Sequence, residues 1–451
     1  MARKKYDVII LGGGPAGLIT AVTAKAHHKD KSVALVRANE VGLIPCGIPY
    51  IIHQMGYDWK KDILPDAPLE KAGIDKIIAK AGEVDRSTKE VILDSGDVLE
   101  YDKLVLALGS RPAVPPIPGV DKDGVFTVGK TPDALEPLLN ALKEANRVII
   151  AGAGFIGLEV ADELLREGKE VRVVEMADRI LPAAFDEDVS APVVEELENL
   201  GAKFYLGKKI VEITGESKAS GVKLEDGTVL EGDVVILATG YKPNSDLPRK
   251  MGLDINPFGA VMVDEFLRTN DIDIFAVGDV ASKVCSLTRR PANIMLASTA
   301  VSEARVAGIN LYSLQVLKTF TGTISVFSTA LGNSVLASAG LTEDRVKFEN
   351  IDYVVGTFET VDRHPGHLPG AHKVKVKLLV GAHAGVLLGA QIYGGVSAAE
   401  MINMLGVAIQ NRLRVDELYT LQIGTHPKLT AAPTVYPVIK AAENALGKLK
   451  I

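Results

Sequence analysis

The sequence predicts an α/β protein with two dinucleotide-binding βαβ units, followed by a terminal α+β domain. Three observations predict it. The chain opens on a strand, a glycine-rich turn, a helix and a strand, and the same order returns near Val148. After about Thr323 the pattern changes to alternating segments with helical stretches behind them. At 451 residues the chain is too long for one core and divides into about two to four domains.

Taken in order, YDVIIL from Tyr6 to Leu11 reads as a buried strand. An Ala-rich helix follows from Pro15 to His28, and SVALV from Ser32 is the next strand. In the second copy VIIAG runs into AGFIG, a helix extends through Leu165, and the strand EVRVVE ends at Glu175. The proline-rich stretch Arg111 to Val120 is a crossover between domains. ISVFST, YVVGTF, KVKVKLLV and GVLLGAQIY then read as antiparallel strands, with helices near Ala398 to Gln410 and Val435 to Leu446.

Apolar residues make up 47% of the chain and are mostly Ala, Val, Ile and Leu, which suits parallel strands covered by helices. The net charge of −7 comes with no basic block, which argues against nucleic acid as a partner. No apolar run reaches the ~20 residues of a membrane helix. The opening MARKKYDVIILGGG enters a glycine turn rather than a cleavage site, so it reads as a strand in a cytoplasmic protein. The two cysteines, Cys46 and Cys285, are too few for a disulfide framework. They are either two inert core residues or include one reactive thiol.

Gly12, Gly14 and Gly17 fit G-x-G-x-x-G between a strand and a helix, with Pro15 and Ala16 inside the motif. The first glycine permits the turn, the second admits a pyrophosphate, and the third lets helix and strand pack closely. Gly152, Gly154 and Gly157 repeat it, enclosing Phe155 and Ile156. Glu175 lies about twenty residues on, where a carboxylate accepts both ribose hydroxyls and repels a 2′-phosphate, so NADH is expected there over NADPH. In the first copy the same count falls on Arg37. Its role is open between stacking on adenine, contacting phosphate and ending a strand in solvent.

With both Rossmann-like fingerprints in view, the chain resembles the pyridine nucleotide-disulfide oxidoreductases, in their single-cysteine branch of NADH oxidases and peroxidases, coenzyme A-disulfide reductases and NAD(P)H sulfur reductases. The resemblance also rests on LALGSRP, holding Ala107, Gly109 and Arg111, and on ATGYKPN with Gly240. IFAVGDVA, with Gly278 and Asp279, and the run from Leu296 through Ala297 to Tyr312 complete it. It implies FAD at the first fingerprint, with Asp279 at the ribityl chain, and NADH at the second. It further implies a split FAD domain of residues 1–112 and 245–320, an NAD(P)H domain of 113–244, and an interface domain of 321–451 that makes a homodimer. Glu159 would then contact the nicotinamide end, and Phe155 would screen the flavin.

Cys46 stands in LIPCGIPYII ahead of a stretch that can start a helix, where a helix N-terminus would favour the thiolate. With no second cysteine nearby, it would cycle through sulfenic acid or a mixed disulfide, or only tune a flavin that meets oxygen directly. The resemblance assigns His426, in His426-Pro427, as an acid/base offered by the partner subunit. Otherwise it caps a helix or lies in an interface. The expected activity is NADH oxidation by O2 or peroxide, the small-molecule acceptor. The alternative is a coenzyme A-disulfide or polysulfide reductase, and a reading of another class is a flavin-bound sensor or electron-transfer subunit. His364, His367 and His372 have no metal-ligand spacing, so no metal is expected. A bound coenzyme A stays open, with Lys25, His27 and His28 where the family places basic groups.

Overall fold

The computed structural model describes residues 2–315 and 319–449. The first unit is built on the buried run of strand Arg3–Leu11. It pairs in parallel with Val33–Arg37 on one side and Val98–Leu106 on the other. The outer strand Asp75–Ile78 extends the sheet beyond Val33–Arg37. The long strand Val98–Leu106 takes an antiparallel partner, Glu90–Leu93, at its start and the parallel strand Ile274–Ala276 at its end. Residues far along the chain therefore return to the first sheet. Helices Pro15–His27 and Ala297–Asn310 pack together on one face, with Gly308 against Thr23 where a Cβ would lie 2.8 Å away.

The second sheet has five parallel strands, in the order Val125–Thr127, Val234–Leu237, Arg147–Ala151, Glu170–Val174 and Lys203–Tyr205. Its helix Phe155–Arg166 packs through Leu158, Ala161 and Leu164. A small antiparallel sheet, Ile210–Thr214, Gly221–Leu224 and Val229–Glu231, sits on this unit. Two chain crossings join the units, through the antiparallel pair Ser110–Pro112 and Tyr241–Pro243.

The C-terminal sheet is antiparallel, in the order Phe327–Leu331, Ser334–Gly340, Leu387–Gly394, Lys373–Gly381 and Tyr353–Val361. Helices Ser397–Gln410 and Pro437–Leu446 cover it through Ile402, Leu405, Val438 and Ala441. Lys377 is buried and reaches Asp186, Asp188 and Glu343, pinning this sheet to the second unit. Lys377 thereby supplies one positive charge to the three acids, and Lys375 adds a second at Asp188. Among the described residues no helix is long and apolar enough to cross a membrane.

Candidate active site

A cleft of about 2090 Å³ runs between the two fingerprints. The two glycine turns are built alike. Gly12 has φ +119° and Gly152 +111°, and a Cβ on either would strike the backbone of Ala107 or Ala238 at 2.0 and 2.5 Å. Gly17 and Gly157 lie beneath, where a Cβ would come within 1.9 and 2.1 Å of the Gly12 and Gly152 carbonyls. Gly14 and Gly154 have nothing within 4 Å of a Cβ, so both turns hold open space at a helix start. Neither helix has a side-chain cap there, nor does Ala297–Asn310. Three helix starts without a side-chain cap, at the positive ends of helix dipoles, thus border one cleft, as phosphate groups require.

Pro15, Ala16, Arg37, Ala107, Gly109, Arg111, Phe155, Ile156, Glu159, Glu175, Gly240, Gly278, Asp279, Ala297 and Cys46 line the same cleft. Arg37 differs from its solvated alternative. It is 6% exposed, its guanidinium forks onto both Asp66 oxygens at 2.7 Å, and its stem packs on Gly13. The ion pair holds it at the strand end against the first turn. Arg111 reaches across to Asn244 and Asp246 at the chain crossing.

Glu175 is held by two backbone N–H donors, Ala153 at 2.7 Å and Ala177 at 2.9 Å. Asp279 accepts from Ser110 at 2.6 Å and from Lys130 at 2.9 Å. Burial opposes its ionisation, but the Lys130 charge and these bonds outweigh it and hold the carboxyl below its usual range. Lys130 also lies 4.3 Å over the Tyr241 ring. The turn Gly278–Val280 is braced from below: buried Glu303 accepts from Gly278 N at 2.8 Å and pairs with buried Lys283 at 3.2 Å.

The helix Phe155–Arg166 carries three groups into the site. Phe155 stacks on Phe327 at 5.1 Å. Glu159 accepts from Thr329 at 2.8 Å, and burial pushes its carboxyl up to about 7. Buried Glu163 accepts from the backbone of His53 and Gln54, both at 3.0 Å, tying this helix to the segment after Cys46.

Cys46 is a free thiol open to the cleft. The expected helix behind it is only a 3-10 turn, Ile48–Ile51. So short a turn has little dipole. Instead of being lowered, the thiol is pushed up, first by burial of the group against the cleft wall and then by Glu159, with Lys130 opposing. Cys285 is remote from it, half-buried beside Leu341 and Leu379.

His426 does not line this chain's cleft. It is exposed on a loop, where Thr430 N and Leu429 N bond to its carbonyl. That loop meets the one bearing His364, whose backbone N donates to Pro427 O at 3.1 Å. His364 pairs with Thr430 O at 3.0 Å, and His372 lies 3.9 Å from the buried Asp362. Lys25 donates to the carbonyls of Lys29 and Lys31, closing its own helix, and His28 pairs with Gly308 O. Of that basic trio only His27 is exposed. Lys130, Thr329, Glu163 and Asp62, the last beneath Cys46, had no signal in the sequence.

Comparison with known proteins places this geometry. The profile described as pyridine nucleotide-disulphide oxidoreductase matches residues 6–304, and its dimerisation domain matches 326–435. A protein named NADH oxidase from Methanocaldococcus jannaschii is 32% identical over 98% of this chain and 99% of its own. A CoA-dependent NAD(P)H sulfur oxidoreductase from Pyrococcus abyssi is 33% identical over 87% of this chain and 88% of its own. A solved NAD-dependent persulfide reductase from A. fulgidus superimposes with a TM-score of 0.91 at 32% identity, over 98% of this chain and 83% of that one.

Proposed function

The chain belongs to the pyridine nucleotide-disulphide oxidoreductase family, and on that premise we propose that it oxidises NADH, holds FAD at its first fingerprint and reduces a small acceptor beside Cys46. It is an NAD(P)H-dependent oxidoreductase of the NADH oxidase and sulfur reductase kind. We assign residues 1–112 and 245–320 to FAD, 113–244 to NADH and 321–451 to a homodimer interface. The return of strand Ile274–Ala276 to the first sheet supports the split.

The cradle fits the cofactor. Gly14 leaves the space a pyrophosphate needs, with free N–H groups facing it, and the ionised Asp279 is an acceptor for sugar hydroxyls. Bound there, the flavin supplies the two-electron exchange between nicotinamide and acceptor. Glu175 reads the NADH ribose. Phe155, on its stack with Phe327, covers the site until nicotinamide arrives. Hydride transfer leaves the acceptor short of a proton, and a Glu159 carboxyl near 7 can hold one in the cleft at neutral pH.

One observation carries the proposal: a single free thiol lines the same cleft as both fingerprints, with Cys285 out of reach. Cys46 therefore cycles without an internal disulfide. Peroxide takes it to sulfenic acid and a sulfur compound to a mixed disulfide. Oxygen or peroxide is our first acceptor, in keeping with the full-length likeness to an NADH oxidase. The openness of the thiol favours a second reading, a coenzyme A-disulfide or polysulfide reductase with coenzyme A as a ligand.

Turnover with NADH under air and under argon, with O2, polysulfide and coenzyme A disulfide in turn, separates the two. Cys46→Ser should keep NADH bleaching of the flavin and lose sulfur-acceptor turnover. Wild-type protein that NADH leaves yellow would point to the sensor reading instead. A fully active Cys46→Ser would demote the thiol to packing.

A further inference from the structure

Beneath the Cys46 turn lies a carboxyl that none of the steps above uses. Asp62 closes the 3-10 turn Trp59–Asp62 and is 1% exposed. It presses on the turn that carries the thiol: a Cβ on Gly47 would lie 1.9 Å from Asp62 Oδ1. The two segments are also sewn together by backbone. Ile44 N donates to Asp62 O at 2.9 Å, and Gly42–Leu43 pairs antiparallel with Ile63–Leu64. Yet Asp62 Oδ2 is buried with no hydrogen-bond partner among the described residues. An unpaired buried carboxylate is costly, so burial favours the protonated form.

We propose that Asp62 is a positioning residue for Cys46: its carboxyl supports the Gly47 backbone and, by gaining or losing one proton, sets how readily the neighbouring thiol ionises. The proposal rests on the reading of Cys46 as the redox thiol. Burial pushes Asp62 up to about 6, and its charge is one of those that push the Cys46 thiol up. Below that pH Asp62 is neutral and the thiolate forms more easily. Above it a second anion beside Asp62 is disfavoured, and the thiol titrates later. Glu159, Lys130, Asp279 and Tyr50 also face the thiol. On Asp62's own turn, Lys60 lies over the Trp59 ring and Lys61 donates to Met55 O.

The test is labelling of the flavin-bound protein with methyl methanethiosulfonate, read on the Cys46 peptide by mass spectrometry from about pH 5 to about pH 9. In the wild type, the logarithm of the rate should climb with pH and flatten twice, near pH 6 with Asp62 and near pH 7 with Glu159. Asp62→Asn should remove the step near pH 6 and raise the rate near pH 8 by a smaller factor than Glu159→Gln does. Glu159→Gln should keep the step near pH 6 and lose the one near pH 7. A wild-type profile without the step near pH 6 overturns the proposal, even should Asp62→Asn fail to fold. So does a folded, flavin-retaining Asp62→Asn with the wild-type profile. Labelling does not require turnover, so a failed redox role for Cys46 would show separately in the Cys46→Ser kinetics.

Discussion

Glu175 serves two geometries at once. Its oxygens accept from Ala153 N, inside the second glycine turn, and from Ala177 N just past the strand. A carboxylate so held is aimed at one place, which is what ribose recognition asks of it. Glu175→Ala should raise the KM for NADH by roughly ten- to a hundredfold and that for NADPH far less. Equal losses in steady-state kinetics would mean the carboxylate only braces the turn. Glu175 and Gly14 stand at motif positions that could be read because each expected job lies within a short stretch around a glycine turn, while Asp279 was read only through the family resemblance. Lys130 was not, because its partner Asp279 lies 149 residues away and no local pattern links them. Thr329, 170 residues from Glu159, was hidden for the same reason. The electrostatics of Cys46 were misjudged, since they depend first on burial and then on carboxylates brought from three other segments.

Among the elements, those with a clear period were legible. The buried strand Arg3–Leu11, its glycine turn and its helix follow the chain closely, and so do Tyr353–Val361 and Lys373–Gly381. The strand Ser334–Gly340 escaped because it is buried on both faces and built of small residues, so nothing alternates. The sheet from Ile210 to Glu231 escaped because its strands are only three to five residues long. The turn Gly278–Val280 makes an energetic prediction. Lys283→Met would leave Glu303 buried without its counter-charge, at about 3–5 kcal/mol by denaturant unfolding. Burial already raises the Glu303 carboxyl, so in the variant the folded form holds its proton to still higher pH. The penalty falls on the ionised form. It should be slight at acid pH, where the group is neutral in both states, and grow as pH rises toward neutral. A loss independent of pH would assign the cost to packing.

At the scale of the whole molecule, the C-terminal domain holds His426 away from its own cleft, so any catalytic use of it requires a second subunit. Sedimentation should give twice the monomer mass. Coexpressing Cys46→Ser with His426→Ala supplies a sharper check. If the histidine serves the partner's site, half of the dimers are hybrids and each regains one intact site, for about a quarter of wild-type sulfur turnover. No recovery would mean that His426 acts within its own chain, and about half of wild-type turnover, with His426→Ala active by itself, would mean that it does not act at all. The clamp from Glu163 to the amides of His53 and Gln54 has a mechanical corollary. It ties the helix that carries Glu159 to the stretch behind the thiol, so a motion that parts these two segments must first break both bonds, at roughly 1.5–3 kcal/mol each.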